Sequence, residues 1–293
     1  ATDPDNVSVF TFSIVSQPTN ITGSVNIGSV SYSSGTFTAV ATYTHDDSQT
    51  TSDSFTYKAN DGALNSNIAT ASITITAVND APVAVAVNSP STNEGETSTY
   101  HLTATDPDNS NINTFNFIIV NQPPNGSVTI SDPPIYASGT FTAVATYTHN
   151  GNETTSDSFT YKANDGDGDS NTATATIAIT AVNDAPIAAD VSGSGAEGST
   201  ITTTLIATDV DDALDTVDPA NFFSIVSQPT NSAGGADVVI GTPIYSSGTF
   251  TAVATYTHDD SQTTSDSFTY KANDGTDDSN TATATIAITA VND

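Results

Sequence analysis

Internal repetition constrains this chain more than any other feature, because a unit that recurs must fold on its own terms and meet copies of itself. Tyr32–Gly62 reads YSSGTFTAVATYTHDDSQTTSDSFTYKANDG, and Tyr245–Gly275 reads the same throughout. Tyr136–Gly166 departs from them only at Ala137 and at Asn150–Glu153, where NGNE replaces DDSQ. ATDPDN stands at Ala1–Asn6 and Ala104–Asn109, ATDVDD at Ala207–Asp212, and AVND closes each unit at Asp80, Asp184 and Asp293. The chain therefore divides into residues 1–80, 81–184 and 185–293. The first unit lacks the counterpart of Ala81–Thr103, about two strands. Either a cut or strands supplied by another chain accounts for that. The third unit is lengthened near Asp212–Asn221.

Within a unit the residues alternate with period two, the pattern of half-buried strands. Phe141, Ala143, Ala145 and Tyr147 fall on one side of Thr140–Thr148, with Thr142, Val144, Thr146 and Thr148 opposite. Phe159, Tyr161 and Ala163 share a side, as do Ala173, Ala175, Ile177, Ile179 and Ala181. Pro82–Val87, Thr97–Thr105, Thr114–Val120 and Ser127–Ile130 add further strands. Turns are expected at Pro123–Gly126, Asp132–Pro134, Asn150–Asn152 and Asp165–Asp169. No amphipathic helical stretch is present. About seven short strands per unit predict an all-β chain of tandem seven-stranded immunoglobulin-like β-sandwich domains, arranged as an elongated rod.

Charge narrows the function. The chain carries 33 acidic side chains against 3 basic ones, a net charge of -30, and the three cations are Lys58, Lys162 and Lys271. Nucleic-acid binding needs a basic face, and so does an anionic membrane surface. Neither is available, so no nucleic-acid partner and no membrane insertion are expected. No apolar run approaches the roughly 18 residues that span a bilayer. With no cysteine there is no disulfide framework, thiolate nucleophile or Cys-ligated metal. No nucleophile elbow or fixed base–nucleophile spacing appears, so the chain is not expected to be an enzyme. The start at Ala1, without initiator methionine or signal segment, suggests a mature or internal fragment.

The carboxylates gather at unit ends, where sandwich loops and linkers converge. Around the first junction the sequence places Asn79, Asp80, Glu94, Asp106 and Asp108, with Asp61 in the preceding NDG turn. Around the second it places Asn183, Asp184, Glu197, Asp209 and Asp211, with Asp165 before it. Such crowding is relieved by a hard cation with roughly six to eight oxygen ligands, for which Ca²⁺ is suited better than Mg²⁺. A second candidate loop is NDGDGDSN, with Asp165, Asp167 and Asp169 at alternate positions. Its bland alternative is a solvated hairpin turn.

VNDAP at the junctions, the EG turns at Glu94–Gly95 and Glu197–Gly198, ATDPDN, SQPTN or NQPPNG, and SDSFTYKANDG occur in a fixed order. Together they resemble the cadherin-like tandem repeats of large bacterial surface adhesins and biofilm proteins. VNDAP resembles the cadherin linker motif, and ATDPDN its paired-aspartate motif, over essentially the whole chain. The departures are Val210 in place of the motif's proline, and Ala81 and Ala185 where a cadherin linker offers an additional asparagine. The resemblance implies extracellular Ca²⁺ held between successive domains and stiffening the array.

His45, His149 and His258 recur one per unit and read as strand-end surface residues. The repeated lysine reads as an ion-pair partner of a nearby aspartate, with an isopeptide bond as its alternative. The expected function is a calcium-stiffened extension segment of an extracellular adhesin or biofilm protein. Its expected partners are neighbouring repeats and a surface or glycan target beyond this segment. Two alternatives stand beside it: a filament subunit in which another copy donates a strand to the incomplete first unit, and an accessory module of a secreted enzyme.

Overall fold

The computed structural model describes residues 1–4, 9–88, 91–211, 221–235 and 238–292, apart from the side chains of Asp132 and Gly235. Asn6, Asp293 and nearly all of the third unit's inserted segment lie outside the described residues.

Among the described residues the chain is all-β apart from one 3-10 turn, Ala233–Gly235. Repeat 2 shows how the sequence builds a unit. One sheet orders Gly126–Ala137, Thr140–His149, Thr97–Thr105 and Val83–Val85, all antiparallel. The other orders Asn116–Asn121, Ser156–Asn164 and Ala173–Thr180, closed by Val87–Asn88 and Thr92–Asn93 running parallel to the last of these. The N-terminal segment thus leaves one sheet and joins the other, as in an immunoglobulin-like sandwich. Repeat 3 repeats the plan. Ile187–Ala188 pairs with Thr200–Thr208 in one sheet, and Val191–Ala196 runs parallel to Ala282–Thr289 in the other.

Alternation decides which side chains fill the space between sheets. Phe141, Ala143, Ala145 and Tyr147 are buried, as are Phe159, Tyr161 and Ala163 and the row Ala173, Ala175, Ile177 and Ile179. They meet Tyr100, Leu102, Ala104, Phe115 and Phe117 in one apolar cluster. Phe115 stacks on Phe141 with ring centroids 3.6 Å apart. Aromatic rings supply most of this core, since each removes roughly 150–250 Å² from water. A polar pair is built into it: the Tyr147 hydroxyl donates to Asp157 Oδ2 at 2.9 Å, and the Asn125 amide donates to the same oxygen at 3.1 Å.

Two expectations change. The turn expected at Asp132–Pro134 is a bulge: pairing with Thr140–His149 shifts between Ser131 and Ile135 and then resumes on the same neighbour. The histidines are not on the surface in repeats 2 and 3. His149 and His258 are 3% and 1% exposed. The reason is parity, because His149 continues the inward row of Tyr147 by two positions.

Repeat 1 is thinner. Thr11–Ser16, Ser52–Asn60 and Ala69–Thr74 form a three-stranded sheet, and the further strand pairs among its described residues are short: Asn26–Ile27 with Ala41–Thr42 and Ser31–Ser33 with Thr36–Thr38. Its buried apolar residues among those described are Val25, Phe37, Phe55 and Ala59. A groove of about 300 Å³ opens over Phe12, Phe37, Phe55 and Tyr57.

Candidate cation sites at the repeat junctions

The EG turn starts each repeat's contribution. Gly95 and Gly198 sit at φ +67° and +65°, where a side chain is strained and glycine is not. The turn lets Glu94 leave its strand while the Glu94 amide still donates to Thr180 O of the last strand at 2.9 Å. The buried His149 fixes the turn from below. Its Nδ1 accepts from the Gly95 and Gly151 amides, and its Nε2 lies 3.0 Å from Thr154 Oγ1. His258 repeats this with Gly198, Asp260 and Thr263.

This geometry sends Glu94 to the end of repeat 2 that meets repeat 3. Its Oε2 accepts from the Val182 amide at 3.4 Å. Glu94 is therefore part of the second junction, not the first, where its place in the sequence suggested it. Glu197 likewise sits at the far end of repeat 3, accepting from the Val291 amide at 2.9 Å. Glu153, which the sequence reading did not single out, joins Glu94. Ligand atoms of Glu94, Glu153 and Asp211 lie within 4.8 Å of one another, two residues from repeat 2 and one from repeat 3. The available signal was the departure of NGNE from DDSQ.

The linkers clip the repeats together in the same way twice. Asn79 donates to Asp165 Oδ2 at 2.9 Å, and Asn183 to Asp274 Oδ2 at 3.0 Å. The Asp80 amide donates to Asp108 Oδ2 at 3.1 Å, and the Asp184 amide to Asp211 Oδ2 at 2.6 Å. Asp106 Oδ1 accepts from the amides of Asp108 and Asn109, and Asp209 Oδ1 from that of Asp211. Asp165 and Asp274 use their Oδ1 atoms to cap their own NDG turns. The first junction thus assembles Asn79, Asp80, Asp106, Asp108 and Asp165, the last of which sequence position groups with the second junction but Asn79 holds at the first. The second assembles Asn183, Asp184, Asp209, Asp211 and Asp274 with Glu94 and Glu153.

The remaining candidates lie elsewhere. Asp61 caps its own turn through the amides of Ala63 and Leu64. Asp165, Asp167 and Asp169 do not converge. Asp169 is held by Lys162 at 2.5 Å and by Asn164 at 2.8 Å, while Asp165 Oδ2 faces Asn79. Lys271 pairs with Asp278 at 2.5 Å in repeat 3. The repeated lysine is an ion-pair partner in these two repeats.

Electrostatics test whether a cation fits. Among the described residues, Glu94 Oε1, Asp106 Oδ2 and Glu197 Oε2 are buried and have no hydrogen-bond partner. A buried acceptor without a donor costs about 1–3 kcal/mol, more when charged. Burial, followed by the neighbouring Asp108, pushes the Asp106 carboxyl up to about 6, against the backbone amides of Asp108 and Asn109 that donate to it. Desolvation and the carboxylates of Asp211 and Glu94 push Glu153, on the exposed rim, up to about 7. Two of the three lysines are already paired outside the junctions. An all-oxygen donor set of carboxylates and amides suits a hard divalent cation. The residues present fit Ca²⁺.

Comparison with known proteins agrees with the sandwich. The fold resembles protocadherin gamma B2 extracellular cadherin domains 1–5, with a TM-score of 0.58 at 17% identity, covering 97% of this chain and 53% of that one. It also resembles mouse cadherin-23 EC22–24, with a TM-score of 0.56 at 16% identity, covering 99% of this chain and 90% of that one. The chain thus spans about half the length of the protocadherin structure. No curated protein matches it significantly. The family model described as "Bacterial Ig domain" matches twice, over residues 79–178 and 183–287, the two complete repeats. With most of its length in those two matches, the chain belongs to the bacterial Ig domain family, as a tandem array of cadherin-like sandwiches.

Proposed function

We propose that the chain is a calcium-stiffened extension segment of an extracellular cell-surface or biofilm protein, projecting a binding tip or linking cells and matrix. One observation carries this reading. At the second junction, carboxylates of two repeats face one another around a buried Glu94 oxygen that has no donor among the described residues. Ca²⁺ would be held by Glu94, Glu153, Asp184, Asp209, Asp211 and Asp274 there, and by Asp80, Asp106, Asp108 and Asp165 at the first junction. The ion supplies positive charge that this chain's own side chains do not bring to the junctions.

The protein's part is to order the oxygens. Asn183 ties Asp274 to the linker, the Asp184 amide aims Asp211, and His149 holds the Glu94 turn. A cation that binds the ordered junction better than the disordered one stabilises it by mass action. Calorimetric titration of the chain with CaCl₂ tests this. Saturable binding that Mg²⁺ at equal concentration does not reproduce supports the reading, and a featureless isotherm ends it.

A second reading is kept by the groove of repeat 1. Phe12, Phe37, Phe55 and Tyr57 line it, whereas in repeat 2 Tyr100 covers the corresponding Phe159 at a centroid distance of 6.3 Å. A strand resembling 97–105, donated by another copy, would fill it and build a filament. Concentration-dependent assembly, blocked by a peptide of residues 82–105, would support that reading. A monomer at all concentrations would argue against it.

A further inference from the structure

Residues 49, 153 and 262 occupy one repeat position, read from the shared frame YTH–(four residues)–TTSDSF. They are Gln49, Glu153 and Gln262. The loop before them is otherwise held alike, by the same His–Thr contact in each repeat: His45 with Thr50, His149 with Thr154 and His258 with Thr263. So a different side chain stands at a matched location, and each copy faces its own repeat's C-terminal pole.

What the copies do there differs chemically. Gln49 Nε2 donates to Asp80 Oδ2 at 2.6 Å, and Gln262 Nε2 donates to Glu197 Oε1 at 3.2 Å. In both, an amide N–H occupies a carboxylate oxygen at the repeat's C-terminal pole, which for Gln49 is the first junction. Glu153 has no proton donor to offer as a carboxylate. It instead adds a third carboxylate beside Glu94 and Asp211, within 4.8 Å. Glu94 is 8% exposed, and its Oε1 has no donor among the described residues. The acids of the loop have moved with this change. Repeats 1 and 3 carry Asp46–Asp47 and Asp259–Asp260, and Asp46 and Asp259 each cap their own turn through the amide two residues on. Repeat 2 has Asn150 and Gly151 at those places, so its loop charge is concentrated at the junction.

We propose that this position grades the junctions: Glu153 makes the one between repeats 2 and 3 the tight divalent-cation site, while glutamine makes a weaker, amide-bridged junction. The inference rests on the reading that Ca²⁺ binds between repeats, and assigns which junction binds first and why. The physical reason is ligand charge. Affinity of an oxygen site for Ca²⁺ rises with the number of carboxylates and falls when a donor competes for their lone pairs. The array would then stiffen in order as Ca²⁺ rises, with repeats 2 and 3 locking before repeats 1 and 2.

The test is calorimetric titration with CaCl₂ of the full 293-residue chain and of E153Q and Q49E, with thermal unfolding of each in chelator. E153Q should weaken the tightest class of site on the order of tenfold. Q49E should tighten a weaker class. E153Q should also melt at the same or higher temperature than the parent chain in chelator, because a like charge has gone. A merely structural role for Glu153 would instead lower the melting temperature in chelator and in Ca²⁺ alike, and that result overturns the proposal. Binding by the parent chain with an unchanged E153Q isotherm also overturns it, while leaving the calcium reading intact. No binding by the parent chain overturns both.

Discussion

At the residue scale, the buried tyrosine–aspartate pair is the clearest case of a side chain whose position fixes its energetics. In repeat 3 the Tyr256 hydroxyl donates to Asp266 Oδ2 at 2.7 Å, and the amides of Thr230, Asn231 and Ser267 donate to the same carboxylate. Burial pushes Asp266 up, but the hydroxyl and the amides outweigh it and hold the group below the usual carboxylate range. A carboxylate depressed in the folded state contributes stability above its unfolded value, near 4, and that contribution is lost as pH falls through the folded value. Acid titration of stability should therefore be shallower below about pH 4 in D266N than in the parent chain. An unchanged acid limb would contradict the assignment. Tyr256→Phe removes the hydroxyl and leaves the buried carboxylate short of a donor, which should cost about 1–3 kcal/mol in the urea-derived stability of repeat 3.

The same scale shows what could be read from residues alone. Tyr147 and Phe141 were legible as core from their alternation. His149 carried the same parity, but its polarity suggested the surface. It is buried because Gly95, Gly151 and Thr154 satisfy both ring nitrogens. A sequence shows parity, but it does not show which donors will be waiting inside. Glu94 was misplaced for a related reason. In a sandwich, a turn that follows the first strand lies at the opposite pole from where that strand began, so proximity in sequence to Asp80 does not mean proximity in space.

At the element scale, the junction depends on turns held from beneath by strands. His258 accepts from the Gly198 and Asp260 amides at 3.3 and 3.2 Å, so it couples the EG turn to the loop that carries Gln262. Replacing His258 by Leu leaves those two amides without their acceptor. The expected loss is on the order of 2 kcal/mol, with faster hydrogen exchange at Gly198 and Asp260. Protection equal to the parent chain would refute the tether. Gly126 marks a different constraint. A Cβ there would lie 2.4 Å from Thr148 O and 2.7 Å from Tyr147 Cε2. Gly126→Ala must push the strand off its neighbour and should destabilise repeat 2 by about 1–3 kcal/mol, read as a drop in its melting temperature. The bulge between Ser131 and Ile135 was hidden from sequence reading, because two prolines signal a turn equally well.

At the scale of the whole molecule, repeats 2 and 3 each carry a closed apolar cluster, and among the described residues repeat 1 does not. Stability in such arrays is close to a sum of unit and nearest-neighbour contributions. Hydrogen exchange should therefore open Ser52–Asn60 well before its counterpart Ser156–Asn164, although the two segments have the same sequence. The repeat boundaries and the sandwich were legible because duplication and alternation are local patterns. The partition of carboxylates between junctions was not, since it depends on which pole each loop reaches. The linkers bind neighbours through asparagine and backbone amides that leave much of the acidic charge uncompensated. That residue of charge is what the calcium account explains. Small-angle scattering of the chain in Ca²⁺ and in chelator tests it most directly. The account predicts a longer maximum dimension and a rod-like profile in Ca²⁺, collapsing to a broader, flexible distribution in chelator. Identical profiles in the two conditions would contradict it.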